Sequence, residues 1–177
     1  MTLRTPSRLA ALLLAVAPGL ASPAESSTLP AVKAAFVFNF IKLVSWPESR
    51  LPAGGATVQV CALRGDEMEP ALRQALNGKM TGSHPIQVQM MDPGDNLSTC
   101  HVLYLGNPSA RSALMARVGG KGVLLVDEGQ QFSWPDGMIR LFQEQNRMRF
   151  ELNLDSLERA GLKVDPRLIR LARIATR

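Results

Sequence analysis

The chain has 177 residues and a formal net charge of +5 at neutral pH. Hydrophobic residues make up 46% of the sequence and charged residues 20%, which suits one domain with a hydrophobic core. No apolar run reaches the ~20 residues needed to span a bilayer, and the sequence contains no internal repeat or low-complexity tract. The sequence therefore predicts no membrane-spanning helix and no repeat array.

The N-terminal segment has the three parts of a secretory signal peptide. Two arginines precede the apolar core 9–16, and small residues follow it up to the predicted cleavage site after Ala24, with Ala21 as the other candidate. Cleavage leaves 153 of the 177 residues and lowers the net charge from +5 to +3. We expect the mature chain, 25–177, to be a single soluble domain in the periplasm. A mildly basic protein there should meet acidic proteins or lipid head groups, not nucleic acid.

Apolar periodicity predicts alternating helices and strands through the first two thirds of the mature chain. The predicted helices are 31–44, 66–76 (with Asp66 as cap) and 108–118, and the predicted strands are 57–63, 86–91, 100–105 and 122–126. The strand at 86–91 alternates apolar and polar side chains, which places it near an edge of the sheet. The alternation as a whole predicts a three-layer α/β/α sandwich with a mostly parallel sheet and right-handed crossovers.

The last third predicts an antiparallel hairpin and two further helices. The hairpin strands are 137–142 and 147–153, joined by a polar turn, and the helices are 155–160 and 166–176. On the second of these helices, the arginines at 167, 170, 173 and 177 should form one stripe.

Two cysteines in an exported chain are expected to form a disulfide. Cys61 and Cys100 each lie in an apolar strand, so the bond would tie two central strands together. Closing the 39-residue loop should stabilise the fold by roughly 4 kcal/mol on the chain-entropy model. Metal binding or catalysis by these cysteines is disfavoured, because there is no CxxC pair and His101 should point to the opposite strand face from Cys100.

No motif specifies an enzyme, a metal site or a cofactor. His84 and His101 lack partners at ligand spacing and are expected to be structural. The glycine spacing matches neither a dinucleotide-binding nor a Walker motif, and there is no GxSxG element. Asp127, Glu128 and Asp136 lie near a strand end where α/β folds often bind ligands, but we expect these acids to be solvated.

The basic and acidic residues of the C-terminal third leave several interpretations open. The arginine stripe is either a solvated basic face or a docking face for an acidic partner, an anionic small molecule or lipid head groups. Glu151 lies between Phe150 and Leu152 and should face away from both. It could pair with Arg140 or Arg159, or contact a partner.

Several segments in this order resemble the YfiR family. They are VKAAFVFNFIKLVSWP, VQVCAL, CHVLYLG, DGMIRLF and RMRFELNLDSLERAGLKVDPRLIRLARI, and the resemblance covers about 31–174. This chain departs from the family pattern in having Asp136-Gly137 at a double-glycine position. It also lacks cysteines for the second disulfide that some members carry.

The resemblance implies a periplasmic repressor that is not an enzyme. Such a protein holds the periplasmic sensor domain of an inner-membrane diguanylate cyclase of the YfiN type inactive. An OmpA-like outer-membrane lipoprotein of the YfiB type sequesters it, which releases cyclic di-GMP synthesis and biofilm formation. The resemblance also implies an α/β sandwich, a homodimer, and a disulfide at the positions of Cys61 and Cys100.

We therefore expect a protein that acts by binding, through the N-terminal helix and the C-terminal hairpin and helix. The residues predicted to contact a partner are Glu151, Leu157 and Arg159. The alternative is a sensor of a small anionic ligand, held by Arg167, Arg170 and Arg173 against the acidic strand-end loop.

Overall fold

The computed structural model describes residues 28–106, 111–132 and 135–176. The helices in these ranges are α1 (Leu29–Leu43), α2 (Glu69–Leu76), α3 (Arg111–Val118), α4 (Leu154–Arg159) and α5 (Pro166–Leu171), with a short 3-10 helix at Leu97–Thr99. The strands are β1 (Val44–Ser45), β2 (Val58–Leu63), β3 (Met80–Thr81), β4 (His84–Met91), β5 (Val102–Leu105), β6 (Leu124–Asp127), β7 (Ile139–Glu144), β8 (Arg147–Leu152), β9 (Lys163–Val164) and β10 (Arg173–Ile174). The predicted signal peptide and the start of the helix predicted at 108–118 lie outside the described residues.

Eight strands form one sheet in the order β10-β8-β7-β6-β5-β2-β4-β3. Neighbours are parallel except β7 with β8 and β3 with β4, and β1 pairs antiparallel with β9 in a separate two-stranded sheet. The chain steps from β2 to β4 in one direction and then from β4 through β5 to β6 in the other. Right-handed crossovers place α2 and α3 on opposite faces of such a sheet, and the predicted α/β fold is confirmed.

The core lies between the helical layers and the central strands. Every residue of β5 and β6 is buried, because both faces of these strands are covered. β4 alternates buried and exposed side chains beside the two-residue edge strand β3, as its sequence pattern predicts. Thr28 caps α1 and Pro30 occupies its first turn, and the chain leaves the helix at the extended residue Val44.

The predicted disulfide between Cys61 and Cys100 is present. Cys61 lies on β2, while Cys100 ends the 3-10 helix just before β5. Both cysteines are fully buried, and their Cα atoms are 5.8 Å apart. The bond therefore ties β2 to the segment that enters β5, within the core.

The helix predicted at 166–176 is wrong in its second half. The helix ends at Leu171, because Ala172 is extended at φ −88° and ψ 155°, and the next two residues form β10 alongside β8. Arg173 is thus a strand residue paired with Glu151, and the single helical stripe of arginines does not exist. The predicted cap at Asp66 is also wrong, since the residue that precedes the first turn of α2 is Met68. The backbone amide of Met68 donates a hydrogen bond to Oδ1 of Asp66 at 2.9 Å.

Candidate partner-binding surface on the hairpin

A two-residue turn determines which side chains of the β7–β8 hairpin share a face. Gln145 and Asn146 have φ values of 49° and 62°, the left-handed conformations that a type I′ turn requires at both positions. The turn places Arg140 opposite Glu151 and Phe142 opposite Arg149. Since side chains alternate along a strand, these four lie on one face of the hairpin.

The other face of the hairpin belongs to the core. The ring of Phe150 lies 5.1 Å from that of Phe40 and 6.0 Å from that of Phe36, both on α1. Aromatic pairs at these separations are stabilising beyond the area that they bury. The N-terminal helix therefore holds the hairpin from one side.

A buried ion pair holds the opposite face. Arg140 donates from Nε and Nη2 to Oε2 of Glu151 at 2.9 and 2.8 Å, and each residue is 8% exposed. Nη1 of Arg140 donates to the carbonyl oxygens of Gly129 and Gln130 at 3.0 and 2.9 Å. A buried charge is tolerated when it is paired and its remaining donors are satisfied. Arg140 therefore fastens the loop after β6 to the hairpin.

Arg173 reaches this cluster from β10. Its Nη2 donates to Oε1 of Glu144 at 2.8 Å, and its Nη1 lies 3.5 Å from Oε1 of Glu151. The hydrogen bond from Arg173 lowers the pKa of the Glu144 carboxyl below its ordinary value, with a further contribution from the charge of Arg173. The guanidinium carbons of Arg140 and Arg173 lie 4.3 and 5.0 Å from the centre of the Phe142 ring, within cation–π range.

We call the residues Phe142, Glu144, Arg147 and Arg149 the hairpin face. Phe142 is half-buried and the other three are exposed. Neither Arg147 nor Arg149 forms an ion pair within the part of the chain that the structure describes. The hairpin face is thus a basic surface around an aromatic ring that two further arginines hold in place.

The three residues predicted to contact a partner occupy different positions. Glu151 is buried beneath the hairpin face, and of its two predicted arginine partners it pairs with Arg140. Leu157 is 1% exposed and packs in the core. Arg159 is exposed on α4 and donates to the carbonyl oxygen of Pro135 at 3.1 Å and to Oγ of Ser156 at 2.8 Å. The structure joins none of these three to another, and their contact with a partner stays a prediction.

Of the three arginines predicted to hold an anion, two lie on α5 near Asp165 and the third lies on β10. Arg167 donates to Asp165 at 2.8 Å, and this hydrogen bond lowers the pKa of the Asp165 carboxyl to about 2. Arg170 is exposed, and Arg173 binds the glutamates of the hairpin. Their predicted role in binding an anionic ligand stays a prediction.

A cleft of about 470 Å³ does contain one of these arginines. It opens between the start of α1, the loop after β6 and the hairpin, and its lining includes Lys33, Glu128, Arg140 and Arg173. Each of these cations already has a carboxylate partner, with Lys33 paired to Glu128. The pairing leaves little uncompensated positive charge for an anionic ligand.

The acids at the end of β6 are not simply solvated, in contrast to expectation. Asp127 is 1% exposed and accepts a bond from the amide of Gly129 at 2.9 Å, and Glu128 pairs with Lys33. His101 is structural, since its Nδ1 accepts from the amide of Gln59 at 3.0 Å and its Nε2 lies 2.8 Å from the carbonyl oxygen of Arg50. Within the described residues, no three potential ligands group as a metal site would need.

The family comparison agrees with this architecture. A family model described as YfiR/HmsC-like matches residues 30–173. The chain belongs to the YfiR/HmsC-like family. Members of the family are periplasmic regulators of cyclic di-GMP signalling and not enzymes. The match runs from the first turn of α1 to the first residue of β10, so it includes every residue of the hairpin face. No helix among the described residues is long and apolar enough to cross a membrane.

Sequence reasoning did not single out Phe142 or Arg149. The signal was available in the alternation of 147–152, where Arg147, Arg149 and Glu151 occupy every second position. Combined with a two-residue turn, that alternation places Arg149 opposite Phe142.

Proposed function

We propose that this YfiR/HmsC-like protein represses an inner-membrane diguanylate cyclase of the YfiN type by binding its periplasmic domain. In this proposal an OmpA-like lipoprotein of the YfiB type relieves the repression by sequestering the protein. The observation that supports a binding role most directly is the hairpin face. On this face, exposed arginines without ion pairs in the described ranges lie on the same side of the hairpin as an aromatic ring that two other arginines contact. Family membership supports the signalling context.

The charge of the hairpin face identifies the kind of surface that would bind it. Arg147 and Arg149 are exposed and form no ion pair among the described residues, so a partner with carboxylates opposite them gains charge-assisted hydrogen bonds. Phe142 supplies an aromatic contact whose position Arg140 and Arg173 hold. Aromatic and arginine side chains are enriched at the centres of protein interfaces. An acidic patch on the cyclase domain is therefore the expected partner surface.

Glu151 supports the hairpin face from its buried side. It binds Arg140 and Arg173, which both contact the Phe142 ring. A Glu151→Lys change would place a third cation beside Arg140 and Arg173 and alter the hairpin face indirectly. Variants at Glu151 or Leu157 therefore need a measurement of folding beside any measurement of binding, whereas Arg159 is exposed and tests contact directly.

The test is biolayer interferometry between the protein and the periplasmic domain of the cyclase encoded nearest to it. Arg149→Glu and Phe142→Ala should weaken binding by about tenfold or more, since interfacial charge pairs and aromatic anchors contribute ~1.4 kcal/mol or more each. Lys121→Glu is the matched control, because Lys121 is exposed, has no ion pair among the described residues and lies before β6. Failure of the folded wild-type protein to bind at tens of micromolar would reject the pairing.

The cleft beside Lys33 supports a second candidate function, the binding of a small molecule. Its volume of about 470 Å³ falls within the range of ligand sites. A thermal-shift screen tests this function, because ligand at 100 times its dissociation constant adds ~2.7 kcal/mol to the stability of the folded state. The homodimer that the resemblance implies is tested separately by sedimentation velocity across protein concentrations.

A further inference from the structure

The C-terminal segment 166–176 exposes two large apolar side chains that are three positions apart in the sequence. Leu171 is 71% exposed at the end of α5, and Ile174 is 40% exposed on β10. The exposed large hydrophobic residues in the described ranges are these two, Leu29 and Met80. Because β10 is the outermost strand on its side of the sheet, this apolar pair lies at an edge of the protein.

Two arginines flank Leu171, and one of them, Arg170, forms no ion pair among the described residues. Arg170 and Arg173 flank Leu171, and the segment 166–176 contains no Asp or Glu. Arg170 is exposed and has no carboxylate partner among the described residues, and 52% of the Arg173 side chain is accessible although it pairs with Glu144. The segment therefore combines two exposed apolar side chains with one exposed arginine, Arg170, that pairs with no carboxylate in the described part of the chain.

We propose that the segment 166–176 docks on a surface of anionic phospholipid. Leu171 and Ile174 enter the head-group region, and Arg170 binds lipid phosphates. Residues of these types lie at membrane interfaces, where aliphatic side chains are covered by acyl chains and long cationic side chains reach the phosphates. This inference goes beyond the proposed repressor function and does not depend on it.

Two other occupants fit the segment less well. In a symmetric pair of copies centred on Leu171, Arg170 would meet Arg170, and like charges at an interface are unfavourable. A protein partner usually covers about 800 Å² on each side with aromatic anchors at its centre, and 166–176 contains no aromatic residue. A negatively charged bilayer complements both the charge and the aliphatic side chains.

Docking would place the protein at the surface of the membrane in which a cyclase is embedded. A weak surface contact of this kind increases the effective concentration of a binding partner held at the same membrane. The contact is expected to be reversible and sensitive to salt, since head-group attraction is screened within a Debye length.

The experiment is co-sedimentation of the full protein with vesicles, which contain no protein partner. Wild-type protein should sediment with vesicles of phosphatidylglycerol and phosphatidylethanolamine, and should stay in solution with phosphatidylcholine vesicles. Arg170→Glu should lower the partition coefficient about tenfold or more, since one arginine contributes about fivefold and the new carboxylate is repelled. The double variant Leu171→Ser/Ile174→Ser should lower it by a similar factor.

The opposite edge of the sheet offers matched controls. Lys79 and Met80 are both exposed beside and within β3, and Met80 is 51% exposed. Lys79→Glu changes the net charge by the same amount as Arg170→Glu, and Met80→Ser removes a comparable apolar group. Both controls should bind within about twofold of wild type, because they leave the proposed docking segment intact. Thermal unfolding of every variant shows that each one is folded.

Three results would overturn the proposal. Equal loss of binding in Lys79→Glu and Arg170→Glu would show an attraction that depends only on net charge. Absence of sedimentation with anionic vesicles at millimolar lipid would show that the segment does not dock on lipid. Loss of a dimer in Leu171→Ser/Ile174→Ser, with vesicle binding unchanged, would assign the apolar pair to a contact between copies.

Discussion

The buried pair Arg140–Glu151 allows a quantitative test of how the hairpin face is held. In Glu151→Met, the Nε and Nη2 donors of Arg140 lose their acceptor while only 8% of Arg140 is exposed. The carbonyl oxygens of Gly129 and Gln130 still bind Nη1, so the guanidinium stays buried with a charge that nothing neutralises. Removing one member of a buried pair typically costs about 3–5 kcal/mol.

The loss should be visible in urea denaturation and in thermal unfolding, both followed by tryptophan fluorescence. For a domain of this size, 1 kcal/mol corresponds to a shift of about 2–4 °C in melting temperature, so Glu151→Met should melt roughly 10 °C below wild type. The double variant Arg140→Met/Glu151→Met removes both charges and should be more stable than Glu151→Met alone, because well-packed apolar side chains often replace a buried pair at little cost.

The control for this test is Glu144→Ala. Glu144 pairs with Arg173 on the surface, where 43% of its side chain is accessible, so the variant should unfold near the wild-type midpoint. A free energy of unfolding for Glu151→Met within ~1 kcal/mol of wild type would refute the reasoning. That outcome would mean that solvent reaches Arg140 in solution and that the pair does not hold the hairpin face.

Four further outcomes are expected. Replacing Cys61 and Cys100 by alanine should lower the free energy of unfolding by roughly 4 kcal/mol. Dithiothreitol should release no thiols from the native protein in a thiol titration, because both sulfur atoms are buried. Burial lowers the pKa of His101 below its ordinary value of 6.5, so the unfolded chain takes up a proton first, and the stability is present above that value and lost as the pH falls below it. His101→Gln should show a shallower loss between pH 7 and 5 in urea denaturation, and an equal slope would contradict the assignment. Tyr104→Phe should match or exceed wild-type stability by up to ~1 kcal/mol in the same assay, since the buried hydroxyl has no hydrogen-bond partner within the described residues; clear destabilisation would show that a partner exists.

Local patterns in the sequence predict much of this protein. The alternation of apolar runs with turn residues predicts the mostly parallel sheet, because each strand and each helix carries its own periodicity. Two cysteines in apolar strands predict the disulfide, and the polar turn before Arg147 predicts the hairpin. Alternation along β8 also correctly predicts that the side chain of Glu151 faces away from that of Phe150, because this direction depends only on neighbours in the chain.

The secondary structure around Arg173 could not be predicted from local patterns. The segment 166–176 has helical periodicity, but the edge of β8 offers it hydrogen bonds, such as that from the amide of Ala175 to the carbonyl oxygen of Leu152 at 2.8 Å. Which strand edge lies within reach depends on the path of the whole chain. The bonds gained by joining that edge convert a predicted helical turn into β10.

The surroundings of the hairpin face also depend on the tertiary structure. The sequence alone determined the apolar and polar sides of each strand. Only the folded sheet placed Arg173 beside Glu151. The same fold placed the guanidinium groups of Arg140 and Arg173 against the Phe142 ring. Contacts of this kind join residues that are distant in the chain, and no local periodicity encodes them.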